Sequence, residues 1–297
     1  MAKKVQEHTE GLVIHTKKQN QFVVVFKRLL ENPGAIIGMI VFLILLLACI
    51  FAPLLTPYDY DAMDVIHANL GPSWEHPCGT DTLGRDILCR LLYGGRYSLQ
   101  MGIYATLIAL VVGLVLGAIS GFFGGAVDEV IMRLCDILQS IPGQVLNVAI
   151  ACALGAGFRN CIIALSVGGV AGVARMLRAN ILSIREMDYI QAATITNCST
   201  TKTIVKHLLP NAISPTIVQT TMAVGNTITM AAGLAYLGLG VQAPMPEWGT
   251  MLSDGRVYLR AYPWQCIFPG LLIMITVLAL NLFGDGLRDA LDPKLKK

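Results

Sequence analysis

Charged residues are scarce in this 297-residue sequence, because Asp, Glu, Lys and Arg together make up only 14% of it. A water-soluble domain normally contains about 25% charged residues. Hydrophobic residues make up 55% of the chain, and the mean hydropathy is +0.63. This composition is atypical of a soluble enzyme and predicts an all-α, polytopic membrane protein.

Several motifs of enzymes and metal sites are absent as well. The eight cysteines include no C-x-x-C pair, which disfavours a zinc site or a disulfide framework. The sequence contains neither H-E-x-x-H nor G-x-S-x-G, the signatures of common metalloproteases and serine hydrolases. No Gly-Lys dipeptide occurs, so a Walker A phosphate loop is excluded. We therefore expect no catalytic residues and no cofactor or metal bound by this chain.

Six apolar stretches have about the 20 residues that one membrane-spanning helix needs. They cover residues 35–55, 97–122, 137–154, 161–176, 212–239 and 266–283. The predicted organisation is an N-terminal segment at 1–34, a first span with an outer loop at 35–95, and a five-span core at 96–297. The basic, amphipathic stretch at 22–30 predicts a helix on the membrane surface. Residues 241–264, rich in proline and aromatic side chains, suit an interfacial loop or a re-entrant turn.

The distribution of basic residues predicts the orientation of these spans. If the N-terminus is cytoplasmic, the cytoplasmic segments hold 16 of the 22 Lys and Arg residues, and the outer segments hold six. This asymmetry satisfies the positive-inside rule. We therefore expect both termini, and the polar segment at about 181–211, on the cytoplasmic side of the bilayer.

Glycines recur at every fourth position along the second span. The stripe consists of Gly113, Gly117, Gly121 and Gly125. Such spacing lets a neighbouring helix approach closely, which predicts helix packing inside the bundle or at a dimer interface. The alternative is that glycine is simply common in membrane helices.

A few polar side chains fall inside the predicted third and fifth spans. They are Asn147, Gln219, Asn226, Thr227 and Thr229. Because exposure of polar groups to lipid is costly, these side chains are candidates for lining a hydrated path. Hydrogen bonds between helices are an equally good interpretation of each one. In the outer loop, the set His67, Glu75, His76 and Cys78 lacks the spacing of a metal site, and we interpret these as solvated loop residues.

The polar segment between the fourth and fifth spans has helical features. Residues 188–211 are DYIQAATITNCSTTKTIVKHLLPN. Asn197 suits a left-handed turn, Ser199 suits the N-cap of a second helix, and Pro210 limits that helix. Apolar residues with helical spacing precede the turn, at Ile184, Met187, Ile190 and Ala193. The pattern predicts a helix–turn–helix hairpin whose small residues enter a groove on another protein; the alternative is a plain connecting loop.

This hairpin resembles the cytoplasmic docking loop of bacterial ABC importer permeases. That signature is Glu-Ala-Ala, three residues, Gly, and later Leu-Pro. The matching positions here are Gln191, Ala192, Ala193, Asn197, Leu209 and Pro210. Glutamine thus replaces the glutamate of the signature and asparagine replaces its glycine. Asparagine can still adopt the turn, whereas an ion pair from the missing carboxylate is lost.

Four further blocks are similar to the second permease subunit of dipeptide and oligopeptide importers. They are HPCGTDTLGRDILCRLLYGGRYSL (76–99), GFFGGAVDEVIMRLCDILQSIPG (121–143), LAYLGLGVQAPMPEWGTMLSDGR (234–256) and LNLFGDGLRDALDPKL (280–295). The resemblance covers roughly residues 20–297. It implies the type I ABC importer permease fold with six membrane helices, in the bacterial cytoplasmic membrane.

The resemblance also implies the partners. They are a homologous permease, two ATPase subunits that carry ATP and magnesium, and an extracytoplasmic substrate-binding protein; nucleic acid is not among them. The implied cargo is a di- or oligopeptide, and import of nickel, a metal chelate or glutathione is the alternative. A passive channel, the candidate from another class, would not need the docking hairpin, and a membrane enzyme would need a catalytic cluster.

Overall fold

The computed structural model describes residues 21–196 and 198–291, and within them the chain is helical without a β-sheet. The first half contains α1 (Gln21–Leu29), α2 (Pro33–Ile50), the short α3 (Ala52–Leu55), α4 (Ile87–Phe123), α5 (Gly125–Ser140), α6 (Gly143–Leu154) and α7 (Phe158–Ile184). The second half contains α8 (Asp188–Ile195), α9 (Thr200–Lys202), a π-helical turn (Thr203–Leu208), α10 (Leu209–Tyr236), α11 (Trp248–Gly255) and α12 (Trp264–Leu291). This confirms the all-α class.

Four of the described helices, α2, α4, α7 and α12, are long and apolar enough to cross a membrane. The bent pair of α5 and α6 is a fifth candidate. Helix α10 has 28 residues, and a span requires about 20, but α10 lacks a stretch as apolar as those of the other four helices. The polytopic membrane class is therefore confirmed, and the count of six spans stays a prediction.

The predicted third span, 137–154, is wrong as a single straight helix. Helix α5 ends at Ser140, α6 begins at Gly143, and the two are bent by 91°. Pro142 lies at the break, and its ring and missing N–H prevent continuation of α5. Ile141 has the extended backbone that a residue before proline prefers. Helix α6 alone, with 12 residues, is about 18 Å long and too short to span.

Side-chain caps start two of the spanning helices. Asn32 Oδ1 accepts hydrogen bonds from the backbone N–H groups of Gly34 and Ala35, and Pro33 occupies the first position of α2. Asp86 Oδ1 accepts the Cys89 N–H at 2.6 Å and starts α4, ten residues before the predicted start at 97. The boundary predicted at residue 95 therefore falls inside α4.

Helices α4 and α7 share the most extensive interface of the bundle, and the glycine stripe lies along it. A Cβ added to Gly117 would lie 2.5 Å from the Ala174 carbonyl oxygen, closer than real Cβ atoms approach. At Gly113 and Gly121 the added Cβ would lie 2.6 and 2.9 Å from side chains of α7. These three glycines therefore sit where the backbones of α4 and α7 approach closely.

Gly125, the fourth member of the stripe, differs from the other three. It begins α5, and nothing lies within 4 Å of a Cβ added there. Its φ of +56° is in the left-handed region, where glycine is favoured because it lacks a side chain. The packing role predicted for Gly125 is thus wrong within this chain, and its conformation serves the turn from α4 into α5.

The segment between α10 and α12 folds back against the bundle through α11, as a re-entrant turn would. Trp248 is fully buried, and its indole N–H donates to the Leu91 carbonyl oxygen at 2.8 Å. The Glu247 carboxylate, also buried, accepts hydrogen bonds from Ser98 Oγ and from the first N–H groups of α11. The capped, buried start of α11 therefore holds this segment against α4.

Candidate docking surface

The hairpin between α7 and α10 is fixed to the end of the bundle by apolar side chains. Ile190 of α8 is 3% exposed and belongs to one buried cluster with residues of α4, α7 and α10. The other buried members are Ala118, Leu177, Ile181, Leu208 and Ala212. Ile184, predicted on the same face, packs against this cluster, whereas Met187 is exposed. The hairpin is therefore attached to the spanning helices rather than loosely linked to them.

The second half of the hairpin does not end at Pro210, so that prediction is wrong. The π-helical turn continues directly into α10, because the Leu209 N–H donates to Ile204 O, five residues earlier. The wider turn accommodates a proline, which has no N–H to donate. Asn211 Nδ2 donates to the His207 carbonyl oxygen at 2.7 Å. The second half of the hairpin, from Thr200, and α10 thus form one continuous helix.

A concave surface of about 610 Å³ lies on the outer side of this hairpin, and we call it the docking cleft. Its lining residues are Tyr189, Ala192, Thr196, Cys198, Ser199, Lys202, Lys206 and His207. Two lysines line the cleft, and no acidic side chain does so among the described residues. Ile195, on the same helix as Tyr189, is 83% exposed. The cleft is therefore positively charged, and the helix that contributes Tyr189 and Ala192 to it also exposes an apolar side chain.

The predicted docking residues occupy different places on this hairpin. Ala192 is exposed and lines the cleft, Pro210 is exposed, and Leu209 is half-buried against the apolar cluster. Gln191, which takes the place of the glutamate in the signature, is exposed. Its Nε2 donates to the Glu186 carbonyl oxygen at 2.9 Å. The side chain of Ala193, and all of residue Asn197, lie outside the described residues.

The start of the second short helix also differs in detail from the prediction. Ser199 precedes α9 with an extended backbone, and its carbonyl oxygen accepts the Thr203 N–H at 2.9 Å. Its hydroxyl makes no capping hydrogen bond. Ser199 therefore occupies the N-cap position without providing the side-chain cap.

The candidate path residues separate into an exposed and a buried group. Gln219, Asn226 and Thr229 are exposed along α10, at spacings of seven and three that place them on one face. Asn147 is instead 1% exposed, with its amide Nδ2 3.5 Å from Met230 Sδ. Thr227 bonds Thr106 across the α4–α10 interface at 3.1 Å. Asn147 and Thr227 thus make contacts between helices. Gln219, Asn226 and Thr229 instead give α10 one face that is polar and accessible.

The outer-loop residues considered for a metal have separate partners. His67 Nδ1 lies 2.7 Å from the Asp64 carboxylate, and this hydrogen bond raises the pKa of His67. His76 Nδ1 lies 2.9 Å from Asp86, the residue that caps α4. In the described part of the chain, no three metal-binding side chains converge.

Two ion pairs between α5 and α7 are absent from the sequence-based predictions. Arg178 contacts Asp128 through two nitrogen atoms, and Arg175 contacts Asp136 at 2.6 Å. Both arginines contributed only to the charge asymmetry that predicts the orientation of the spans. The sequence showed only two aspartates eight residues apart, and this spacing identifies no partner 39 or 50 residues away in the chain.

Comparison with known proteins identifies the family. Residues 113–297 match the family described as the binding-protein-dependent transport system inner membrane component. Residues 20–72 match the N-terminal TM domain of oligopeptide transport permease C. The chain is 45% identical over 271 residues to the dipeptide transport system permease protein DppC of Alkalihalophilus pseudofirmus, covering 91% of this chain and 89% of that protein.

Two further relatives are similar over the same extent. The oligopeptide transport system permease protein OppC of Bacillus subtilis is 41% identical over 270 residues, covering 91% of this chain and 88% of OppC. The glutathione transport system permease protein GsiD of Pectobacterium atrosepticum is 40% identical over 272 residues, covering 91% and 90%.

The fold matches that of a solved importer. An inward facing conformation of the MetNI methionine ABC transporter aligns with a TM-score of 0.56 at 22% identity, covering 68% of this chain and 97% of that chain. This likeness concerns the fold alone, which is that of an ABC importer permease. The chain therefore belongs to the family of inner-membrane components of binding-protein-dependent transport systems, and is a multi-pass transport subunit rather than an enzyme.

Proposed function

We propose that this chain is a permease subunit of an ATP-driven importer of di- and oligopeptides. The observation that carries the proposal is its 41–45% identity, over 91% of the chain, to permeases named for dipeptide and oligopeptide transport. The similarity to a permease named for glutathione transport supports a second candidate cargo. Glutathione is itself a tripeptide, so both candidates carry a free ammonium group and a free carboxylate.

Membership of this family implies work with an ATPase and a substrate-binding protein. We propose that two ATPase subunits bind the docking clefts of this chain and of a homologous permease, with the path between the two permeases. Two features of the chain support this arrangement. The docking cleft is exposed, and α10, which continues from the hairpin, carries accessible polar residues on one face. Movement of the hairpin would therefore rotate or tilt a helix that borders the path.

Uptake by the reconstituted complex tests the cargo. Liposomes containing the two permeases and their ATPases, with the binding protein added, should accumulate a labelled dipeptide or tetrapeptide only when ATP is supplied. Unlabelled peptides should compete, and glutathione should compete much less. Accumulation of glutathione with no competition from other peptides would favour the second cargo. Uptake without ATP would indicate a passive channel and contradict the proposal.

We also propose that the docking hairpin and both termini are cytoplasmic, on the basis of the charge asymmetry. A membrane-impermeant thiol reagent should label Ser199→Cys only from the cytoplasmic side, in a variant without native cysteines. Trp248, in the outer segment, is fully buried and unsuitable for the opposite label, so we choose Val257→Cys, which is 75% exposed. Val257→Cys should react only from outside. Labelling of both positions from the same side would contradict this topology.

A further inference from the structure

A two-point ion pair joins α5 to the part of α7 that leads into the docking hairpin. Arg178 Nε donates to Asp128 Oδ1 at 2.5 Å, and Arg178 Nη2 donates to Asp128 Oδ2 at 2.5 Å. Ser120, near the end of α4, donates its hydroxyl to the same carboxylate. The side chains of Asp128 and Arg178 are 15% and 30% exposed. Three helices thus meet at one partly buried carboxylate.

The rest of the α5–α7 contact is shallow. The apolar side of α5 packs on Ala171 and Ala174, whose small side chains offer little area. A second ion pair, Arg175 with Asp136, lies toward the C-terminal end of α5, but both side chains are about half exposed. The opposite side of α5 is exposed, as at Val130. Within the described residues, the Asp128–Arg178 pair is therefore the strongest polar connection that holds α5 to α7.

The position of Arg178 links this pair to the docking hairpin. Leu177 and Ile181, which flank Arg178 on α7, belong to the buried cluster that holds Ile190 of the hairpin. A displacement of the hairpin would therefore act directly on this end of α7. On its other side, the same end of α7 is bonded to α5 through Asp128.

Helix α5 leads into the bend at Ile141–Pro142 and then into α6. Asn147 of α6 is buried and contacts Met230 of α10 through its amide nitrogen. Met230 follows directly after Thr229 on the accessible polar face of α10. A movement of α5 would thus displace α6 through the bend, and α6 would act on α10, which carries the candidate path residues.

We propose that Asp128 and Arg178 are positioning residues that make α5 follow the docking hairpin, so that ATPase movement reaches the path through α5 and α6 as well as through α10. This inference rests on the proposed import function. It assigns the ion pair a role in coupling, in addition to its contribution to folding.

The variants Asp128→Asn and Arg178→Gln test the proposal in the reconstituted complex with its ATPases and binding protein. We expect ATPase association and ATP hydrolysis to be retained, while the peptide imported per ATP hydrolysed falls about tenfold, within the usual range of coupling between sites. Arg178→Lys should give an intermediate loss, because lysine keeps the charge but not the two-point geometry. The double variant should be no worse than the poorer single variant, because both remove one interaction.

A matched control lies on the same helix. Glu129 and Arg133 form an exposed pair within α5 at 4.0 Å. Exposed pairs of this kind contribute little, so the double variant Glu129→Gln/Arg133→Gln should import normally. If ATP hydrolysis and import fall in proportion in Asp128→Asn, the pair has a purely structural role and the proposal is overturned. The same holds if the control variant loses as much import per ATP as Asp128→Asn does.

A distance measurement tests the same inference without any cargo. Spin labels at Val130→Cys on α5 and Ser183→Cys on α7, both exposed positions, report how the two helices move. In a background without the other cysteines, the distance should stay the same between the resting and ATP-bound complexes, and should change in Asp128→Asn. A distance that changes in the complex with the native pair would overturn the coupling role. Failure of peptide uptake with an unchanged distance would instead contradict only the proposed cargo.

Discussion

The substitution Ala192→Arg should separate the permease from its ATPases while leaving the permease inserted in the membrane. Ala192 is exposed and lines the docking cleft, where the small side chain leaves room for a partner. Arginine would fill part of the cleft and add a third positive charge beside Lys202 and Lys206. We choose arginine because those lysines would partly neutralise an added carboxylate.

The expected size of the effect follows from burial of an unpaired charge. An ion covered by the partner without a counter-ion costs several kcal/mol, and each ~1.4 kcal/mol weakens binding tenfold. Affinity purification of the permease should therefore recover little or no ATPase, and ATP-dependent import should be lost. The recovery of the permease itself should be close to normal, because Ala192 lies outside the buried clusters.

The control for this experiment is Ser183→Arg. Ser183 is exposed near the end of α7, its hydroxyl bonds only the Asn180 carbonyl oxygen among the described partners, and it does not line the cleft. This variant should retain its ATPases. If Ala192→Arg retains them equally well and imports peptide, the docking role of the cleft is wrong.

Gly117→Leu should prevent normal assembly of the bundle. The backbone carbonyl of Ala174 lies 2.5 Å from the position of an added Cβ, and Leu177 Cβ lies 3.0 Å from it. A backbone atom cannot move aside as the end of a flexible side chain can, so α4 and α7 must separate. Overpacking of this kind typically costs about 1–3 kcal/mol, and a clash with backbone places this variant at the upper end of that range. We expect a severalfold lower yield of detergent-purified permease and a lower midpoint of thermal unfolding.

Val115→Leu provides the matched control, because it places the same side chain two residues away on the exposed side of α4. Val115 is 54% exposed, and a leucine there needs no displacement of α7. Its yield and unfolding midpoint should equal those of the native protein. A normal yield for Gly117→Leu would mean that α4 and α7 do not pack as closely as the structure shows.

The docking hairpin shows which structural features can be predicted from local sequence and which cannot. Helical spacing of apolar residues predicted that residues 181–211 form a structured element, and α8, α9 and the π-helical turn are helical there. The prediction that Pro210 ends the second helix was wrong, because the wider π-helical turn before it lets the helix continue through the proline. Sequence alone does not distinguish these two outcomes. Whether the helix ends at Pro210 depends on whether α10 continues along the axis of the second half of the hairpin.

Pro142 was a local sign of the break in the third predicted span, but the average hydropathy of the span does not reflect it. Residues 137–154 are apolar on average, and Pro142 lies among them. A proline within a membrane helix is tolerated where neighbouring helices satisfy the freed backbone groups. Proline alone therefore did not settle whether the span was kinked or broken, and the 91° bend emerged only with the surrounding helices.

The sequence by itself determined the membrane class, the approximate positions of the helices and the presence of the hairpin, because apolar length and helical spacing depend on residues close together in the chain. Only the tertiary structure decided that Gly117 faces Ala174 while a side chain at Gly125 would meet open space, and that Asp128 meets Arg178. Each of these depends on the rotation and register of two helices that are about 50 residues apart in the chain. The periodicity of one helix defines its faces, and packing alone selects which neighbour each face meets.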